Sequence, residues 1–555
     1  MAHATTSAKT SSRPCPDPTP LLLASDLPQT EAAALLTAYG VTDVKRADAN
    51  LQAMAGEPGT RKLLATILGD LLAGLAKTAD PDQGLNHWER MLQAGLHRSQ
   101  LLEYLRNHPR MLHLLCAIFG SSPAMAQTLI RDPLLVYWLA DQQVLTRRPS
   151  REMLAASLRM MLANVKMVER KLDALRRFCR RETLRIGVRD LLKLADVPET
   201  TAALTDLACV LIQAAYVVAE AALREQFGRP MHKDRQGRLV DTGFAVIAMG
   251  KLGGGELNYS SDVDLLYVYA SDEGNTVPAS RSGARSVSNE EYFERLARDV
   301  TKALADPSPE GHVFRVDLRL RAEGTTGQLA RSLKRYEQYY LMRGEQWERM
   351  ALLKAWPVAG DEMVGQAFLK QADAFIFDPG RRHDPASLLA QVKAVKDMID
   401  SQMARRGQKR RNVKLGQGGI REIEFIVQTA QILLGARIPA IRDRSTMGAL
   451  EKLGQQRVLS SKARQELERA YIFLRDVEHK LQMVHDLQTH ALPESSDEMT
   501  RCAIRMGYDA VRRGAAVKDF VADHHRHTAN VNRIFKSLFD APSRSSFAKA
   551  AQNLA

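Results

Sequence analysis

The chain is short of the residues that build stapled or membrane-embedded proteins. Its five cysteines, Cys15, Cys116, Cys179, Cys209 and Cys502, are scattered, odd in number and without a C-x-x-C pair. Neither a disulfide framework nor a zinc site is indicated, and a reducing, cytoplasmic compartment fits best. Aromatics make up only 6% of the residues. The basic run Arg405-Arg406-Gly407-Gln408-Lys409-Arg410-Arg411 carries none, which argues against stacking on single-stranded nucleic acid. The most apolar stretch, around 207–223, is interrupted by Gln213 and Glu220 and reads as too short and too polar to span a bilayer. There is no G-K-[ST] phosphate loop, no dinucleotide fingerprint and no repeat of solenoid period. His524, His525 and His527 lack a supporting acid or cysteine and read as a hydrated helix face. Residues 1–20, rich in Ser, Thr and Pro, hold no acid before Asp17 and read as a floppy tail rather than a targeting segment.

What is present is a long, ordinary globular composition. The 555 residues are 45% apolar and 26% charged, enough for about three packed units. The formal charge is +14, from 78 basic against 64 acidic residues, which favours anionic partners such as nucleotides, nucleic acid or an acidic protein surface. From about Glu31 to Phe227, Leu102, Leu105, Leu112 and Leu115 exemplify a helical spacing. Three β-rich runs then follow: Phe244–Met249, Val263–Tyr269 and Val313–Leu320. A helical segment over Glu290–Leu304 lies between the last two. Helical periodicity returns after Arg331 and continues to about Phe539. Trp347 and Trp356 are expected as core anchors.

The chemistry concentrates at the β-rich centre. Met249 leads into Gly250-Lys251-Leu252-Gly253-Gly254-Gly255 and, a few residues on, Ser260-Ser261-Asp262-Val263-Asp264. Side chains two apart share a strand face, so Asp262 and Asp264 project together while Val263, Leu265 and Tyr267 turn to the other face. Two adjacent carboxylates repel unless a cation lies between them, and Mg²⁺ prefers such hard oxygen ligands. On the third run Phe314, Val316, Leu318 and Leu320 alternate with Arg315, Asp317, Arg319 and Arg321. Asp317 is expected to complete a catalytic and metal-binding trio with Asp262 and Asp264, and the guanidinium groups of Arg319 and Arg321 to grip phosphate oxygens. Gly250, Gly253 and Gly254 would let backbone N–H groups approach phosphate, with Lys251, Ser260 and Ser261 adding a charge and hydroxyl donors. No helix is expected to open directly from this turn. Glycines, then D-h-D, then a later h-D-h strand form the nucleotidyltransferase signature of the DNA polymerase β kind.

The segment MGKLGGGELNYSSDVDLLY resembles the motif of glutamine synthetase adenylyltransferases, the bifunctional family that adds and removes AMP on a tyrosine of glutamine synthetase. The resemblance continues through VFRVDLRLRAEGTTGQL, YYLMRGEQWERMALLKAW, NVKLGQGGIREIEFIVQ and, upstream, LRRFCRRETLRIGVRDLL, over roughly residues 55–540. It implies an α+β, predominantly helical protein with a small nucleotidyltransferase sheet domain flanked by helical bundles. The corresponding partition is a tail at 1–30, a helical domain at 31–199, a nucleotidyltransferase domain at 200–370, a helical domain at 371–540 and a linker-like tail at 541–555. That ending suits the first half of a longer chain. Arg421-Glu422 after the glycines resembles the adenylyl-removing half, so the implied reaction is Mg²⁺-dependent phosphorolysis, with phosphate consumed and ADP released. ATP-dependent transfer of AMP to glutamine synthetase, and a non-catalytic regulatory half binding glutamine synthetase or the nitrogen-signalling protein PII, are the alternatives. No nucleic-acid or membrane partner is implied. Ala322 and Trp356 stand where the family usually has Pro and Arg, which leaves Arg349 and Lys354 as secondary substrate candidates. Glu422 and Glu424 either organise the site or serve capping and packing.

Overall fold

The structure, a computed structural model, describes residues 16–95, 97–278, 285–378, 385–485, 489–540 and 547. Of the two expected tails, 1–15, 541–546 and 548–555 therefore lie outside the described residues. The chain divides into two compact units, one formed by residues 1–141 with 495–518 and the other by 142–494 with 519–555.

The first unit is helical, and its helix starts are written in the sequence. Pro58, Pro81, Pro109 and Pro123 each occupy the first helical position, where a missing N–H costs nothing. Asp80 and Ser122 precede two of these prolines and accept from the backbone N–H of Gln83 at 3.0 Å and of Met125 at 3.4 Å. Trp88 meets Phe119 edge-on at 5.0 Å in the core. The late helix Ser496–Arg505 returns to this unit, with Arg501 on Asp80 at 3.2 Å and Arg505 Nε donating to the Ser121 carbonyl at 2.9 Å.

The second unit is built on a mixed five-stranded sheet. Phe244–Met249 pairs antiparallel with Val263–Tyr269 on one side and with Trp356–Gly360 on the other. The two-residue strand Val316–Asp317 and the strand Ala330–Ser332 run parallel to Val263–Tyr269. Both sheet faces are covered, which is why FAVIAM and LLYVY are continuously apolar rather than alternating. Phe244, Val246, Ala248, Val263, Leu265 and Tyr267 enter one core. Ala245, Ile247, Met249, Leu266 and Val268 enter the other, with Tyr336, Tyr340 and Phe368. A smaller sheet orders Leu239–Asp241, Arg229–Lys233 and Thr276–Val277 side by side.

Two expectations need correction. The long strand Val313–Leu320 shrinks to Val316–Asp317, because the chain turns at once: Arg321 N–H donates back to the Leu318 carbonyl at 3.2 Å. The apolar stretch near 207–223 belongs to a helix of 31 residues, Val197–Phe227, which by length and composition alone could cross a membrane. It is instead a core helix, 72% buried over its most apolar window. Tyr216 stacks on Phe244 at 5.9 Å, and Leu207, Leu211 and Ala215 are buried in the same core. Each fully buried Leu there contributes about 1.5–3 kcal/mol.

Candidate active site

At the end of the central hairpin, Met249 lies opposite Asp264. A one-turn helix, Gly250–Gly253, opens directly from the strand, contrary to the expected open turn. Gly250 has a φ of +55°, and a Cβ built there would collide with the Asp264 carboxylate. At Gly253 a Cβ would strike the Lys354 and Ala248 carbonyls. These glycines thus let a carboxylate and a crossing backbone approach within contact distance.

The parallel register places Asp264 beside Asp317, so two carboxylates share a sheet face one strand spacing apart. The Asp264 carboxylate has no hydrogen bond or ion pair among the described residues. Burial first, then Asp317, raises its pKa to about 6, against the pull of Lys414. Its neighbours are held by arginines. Arg315 Nε donates to Asp262 at 2.8 Å and also reaches the Ser260 carbonyl. Arg319 grips both Asp317 oxygens at 3.0 and 2.9 Å and thereby lowers its pKa. Among the described residues no three His, Cys, Asp or Glu side chains stand as a ready-made metal cluster. The donor set is nevertheless consistent with a divalent cation: hard oxygens, one carboxylate half-buried and without an ion pair among the described residues.

The other expected binding residues divide into two groups. Gly250, Lys251 and Ser261 line one cleft of about 1050 Å³ together with Asp262, Asp264 and Asp317, and Arg319 stands at its edge, largely exposed. Gly254 packs near the Arg444 carbonyl and Lys354. Ser260 is buried, its hydroxyl accepting from Arg315 at 3.3 Å. Arg321 is also buried, and its guanidinium donates to the carbonyls of Leu318, Thr325 and Gly327, so it braces its own turn.

Sequence reasoning missed what holds this loop in place. Glu256, buried, accepts from Lys354 at 3.2 Å, Thr446 N at 2.7 Å, Ser445 Oγ at 3.1 Å and Tyr471 OH at 3.0 Å. Asn258 bonds Arg475, His479 and Glu478, and Glu478 receives Lys251 at 2.8 Å. Tyr471, Arg475, Glu478, His479 and Gln482 follow helical spacing along Ser461–His485, a polar stripe on a buried helix that could have betrayed the anchor.

The far wall revises several readings. Helix Ile420–Leu434 is buried on its polar side as well as its apolar one. Glu424 lines the cleft, 3.6 Å from both Lys354 and Arg421; burial opposes its charge, but Arg421 and Lys354 outweigh it and bring its pKa down to about 2. Glu422 is fully buried, paired with Lys396 at 3.0 Å and accepting from Gly418 N–H at 2.8 Å. Arg349 is buried over the Phe375 ring at 4.7 Å. Trp347 is no core anchor: it is 46% exposed and lines the cleft. Trp356 lies between Arg444 and Arg151, 3.8 and 5.4 Å from its ring. In the histidine trio, His524 is buried rather than hydrated.

A helix-flanked mixed sheet presenting three carboxylates beside a glycine turn defines the nucleotidyltransferase class. Residues 112–371 match the family model for glutamate-ammonia ligase adenylyltransferase, and residues 393–539 match that for GlnD PII-uridylyltransferase. Similar proteins include the bifunctional glutamine synthetase adenylyltransferase/adenylyl-removing enzymes of Nitrosococcus oceani, 37% identical over 78% of this chain and 43% of that protein, and of Thioalkalivibrio sulfidiphilus, 36% identical over 77% and 42%. That of Xanthomonas campestris pv. campestris is 40% identical over 60% of this chain and 34% of its own. The chain thus spans less than half the length of these relatives. With both models and all three relatives transferring nucleotidyl groups, it is an enzyme of the nucleotidyltransferase type.

The same matches overturn the assignment to an amino-terminal adenylyl-removing half acting by phosphorolysis. The segment carrying the three aspartates falls within the adenylyltransferase model, and the uridylyltransferase-type match follows it, an order opposite to the one expected. The Arg421-Glu422 pair on which that assignment rested lies in the second match, where Glu422 is a buried partner of Lys396 and carries no information about reaction direction.

Proposed function

We propose that the chain transfers AMP from ATP to a hydroxyl of glutamine synthetase, the tyrosine that the resemblance implies. The observation that carries this reading is Asp264: a half-buried carboxylate without an ion pair among the described residues, beside Asp317, in a cleft that also presents Lys414 and Arg421. The adenylyltransferase match over residues 112–371 supports the direction. The hydroxyl oxygen attacks the α-phosphorus of ATP, and the bond to the bridging oxygen breaks, releasing pyrophosphate. Mg²⁺, held by Asp262, Asp264 and Asp317, would supply charge stabilisation at the transferred group.

The protein's own part is positioning and charge. Gly250 leaves room for the Asp264 carboxylate. The Glu256 and Asn258 anchors fix the loop that carries Asp262. Lys414, which has no ion pair among the described residues, and Arg421 offer cations to phosphate oxygens across the cleft. Arg319 is the exposed cation on the near side. A cytoplasmic setting and regulation by PII complete the reading, both supported by the resemblance and the second also by the match to a PII-uridylyltransferase model.

The test is to supply the chain with unmodified glutamine synthetase, Mg²⁺ and ATP labelled at the α-phosphate, beside Asp264→Asn. Label on glutamine synthetase that is absent with the variant is expected. An unlabelled substrate with a folded wild-type chain would sink the proposal.

A further inference from the structure

Helix Pro385–Arg405 lines the cleft with Gln391, Val392, Val395 and Ile399 and then runs on past it. Its inner face is ordinary: Leu388, Leu389, Val392, Lys396 and Met403 are buried. The outer face is not. Gln391, Val395, Met398, Gln402 and Arg405, three and four residues apart, form one exposed stripe. Two of its five members are large and apolar, Val395 at 43% and Met398 at 56% exposure. The helix has only two acids, and both fall off this stripe: Asp400 is paired with Lys396 at 2.6 Å, and Asp397 lies on another exposed face.

Beyond Met398 the stripe turns basic. Arg405, Arg406, Lys409 and Arg410 are exposed, and none has an ion pair among the described residues. Arg411, next in the chain, is by contrast tied to Glu494, and its Nε donates to the Leu492 carbonyl at 3.0 Å. One continuous track therefore leads from the cleft over aliphatic surface to a cluster of uncompensated cations.

We propose that this track docks the protein bearing the acceptor hydroxyl, with an apolar side chain of the acceptor segment on Val395 and Met398 and acidic side chains on the cluster from Arg405 to Arg410. This rests on the nucleotidyl-transfer reading and adds the chemistry of its macromolecular partner. A lone hydroxyl is too common a group to be chosen by the cleft alone, and contacts remote from the reacting atoms supply both the choice and the orientation. From Val395 to Arg405 the helix rises about 15 Å. An extended segment covers that in about five residues, so the acids stand about that far from the apolar residue. The cations attract them and the missing acids on the stripe leave nothing to repel them. A nucleic-acid strand fits less well, because it would need cations along the whole track and aromatics in the basic run.

The experiment measures equilibrium binding of unmodified glutamine synthetase to the full chain at low and high salt, with AMP transfer from labelled ATP followed in parallel. Arg405→Glu combined with Arg406→Glu should weaken binding about tenfold at low salt and less at high salt, as screened rim charges do. Met398→Ser should weaken it about threefold or more at both, since apolar contact is lost. In transfer, these variants should raise KM for glutamine synthetase and leave KM for ATP as in wild type. Asp397→Asn, off the stripe, should change neither. If the charge reversal leaves affinity and its salt dependence unaltered while AMP is still transferred, the docking surface is wrong and nucleotidyl transfer stands. If a single-stranded oligonucleotide binds more tightly than glutamine synthetase and the reversal abolishes that binding, the track serves nucleic acid and the proposal falls. If wild type neither binds nor labels glutamine synthetase, both readings fall.

Discussion

Two acids that follow the same glycine turn, Glu256 buried and Asp264 half-buried on the next strand, have opposite surroundings. Glu256 is surrounded by donors from Lys354, Ser445, Thr446 and Tyr471. Burial acts to raise its pKa, yet Lys354 and Arg475 more than offset that, and the net shift is downward. Asp264 is half-buried beside another acid, has no ion pair among the described residues, and shifts upward to about 6 against the pull of Lys414. The first acid holds the loop to the helix Ser461–His485. The second is left unsatisfied where an ion or substrate can enter. A buried carboxylate is thus recognised as functional by what it lacks rather than by its burial.

The largest effect separating the two is expected from Glu256→Ala. It removes the carboxylate shared by Lys354, Thr446 and Tyr471 and leaves Lys354 only Glu424, at 3.6 Å, as an acidic partner, and breaking a buried charge network in this way costs about 3–5 kcal/mol. Denaturant unfolding measures it, and a loss below about 1 kcal/mol would erase the contrast.

Asp264→Asn should do the reverse without metal. Because the folded pKa of Asp264, about 6, exceeds its ordinary 3.8, folding favours the protonated acid. That contribution is fully present below the unfolded value and is lost as pH rises through 6. In EDTA the wild type should therefore fall behind Asp264→Asn between pH 4 and 6, by at most about 3 kcal/mol. Adding Mg²⁺ at neutral pH should raise the thermal midpoint of wild type but not of the variant. The variant should also lose AMP transfer by about a hundredfold or more, since several kcal/mol of charge stabilisation goes with the metal. Equal pH profiles in EDTA would show that Asp264 is not the strained member of the pair.

The fold was legible where local pattern and tertiary role agree. Phe244–Met249 and Val263–Tyr269 are β-rich runs that also fill two cores, and Asn289–Ala305 follows its amphipathic spacing. Alternation in Val313–Leu320 promised a strand, but the Leu318–Arg321 turn wins after two residues. The three aspartates could be picked from spacing because pleat and register are periodic. The partners of Glu256 and Asn258 could not, since they come from about 100 to 220 residues further along the chain. Trp347 was misread because aromaticity suggests a core and says nothing of which side of a short helix faces a cleft. The reaction direction was misread from Glu422 because a buried ion pair and a catalytic acid look alike in sequence.

The smallest effect concerns the arginine that occupies Asp262. Arg315 is 40% exposed and bonds Asp262 at 2.8 Å, so Arg315→Ala should change stability by less than about 1 kcal/mol, as exposed pairs do. If Asp262 is a metal ligand, the guanidinium competes with the cation for one carboxylate. Removing it should then tighten Mg²⁺ binding, read as a lower Mg²⁺ concentration for the half-maximal rise in thermal midpoint. If Arg315 instead positions Asp262, by tying it to the Ser260 carbonyl that it also contacts, the same substitution should weaken Mg²⁺ binding, and Arg315→Lys should recover only part because a lysine cannot span both acceptors. The sign of that shift decides whether Asp262 resembles Asp264, waiting for a cation, or Glu256, already satisfied by the protein.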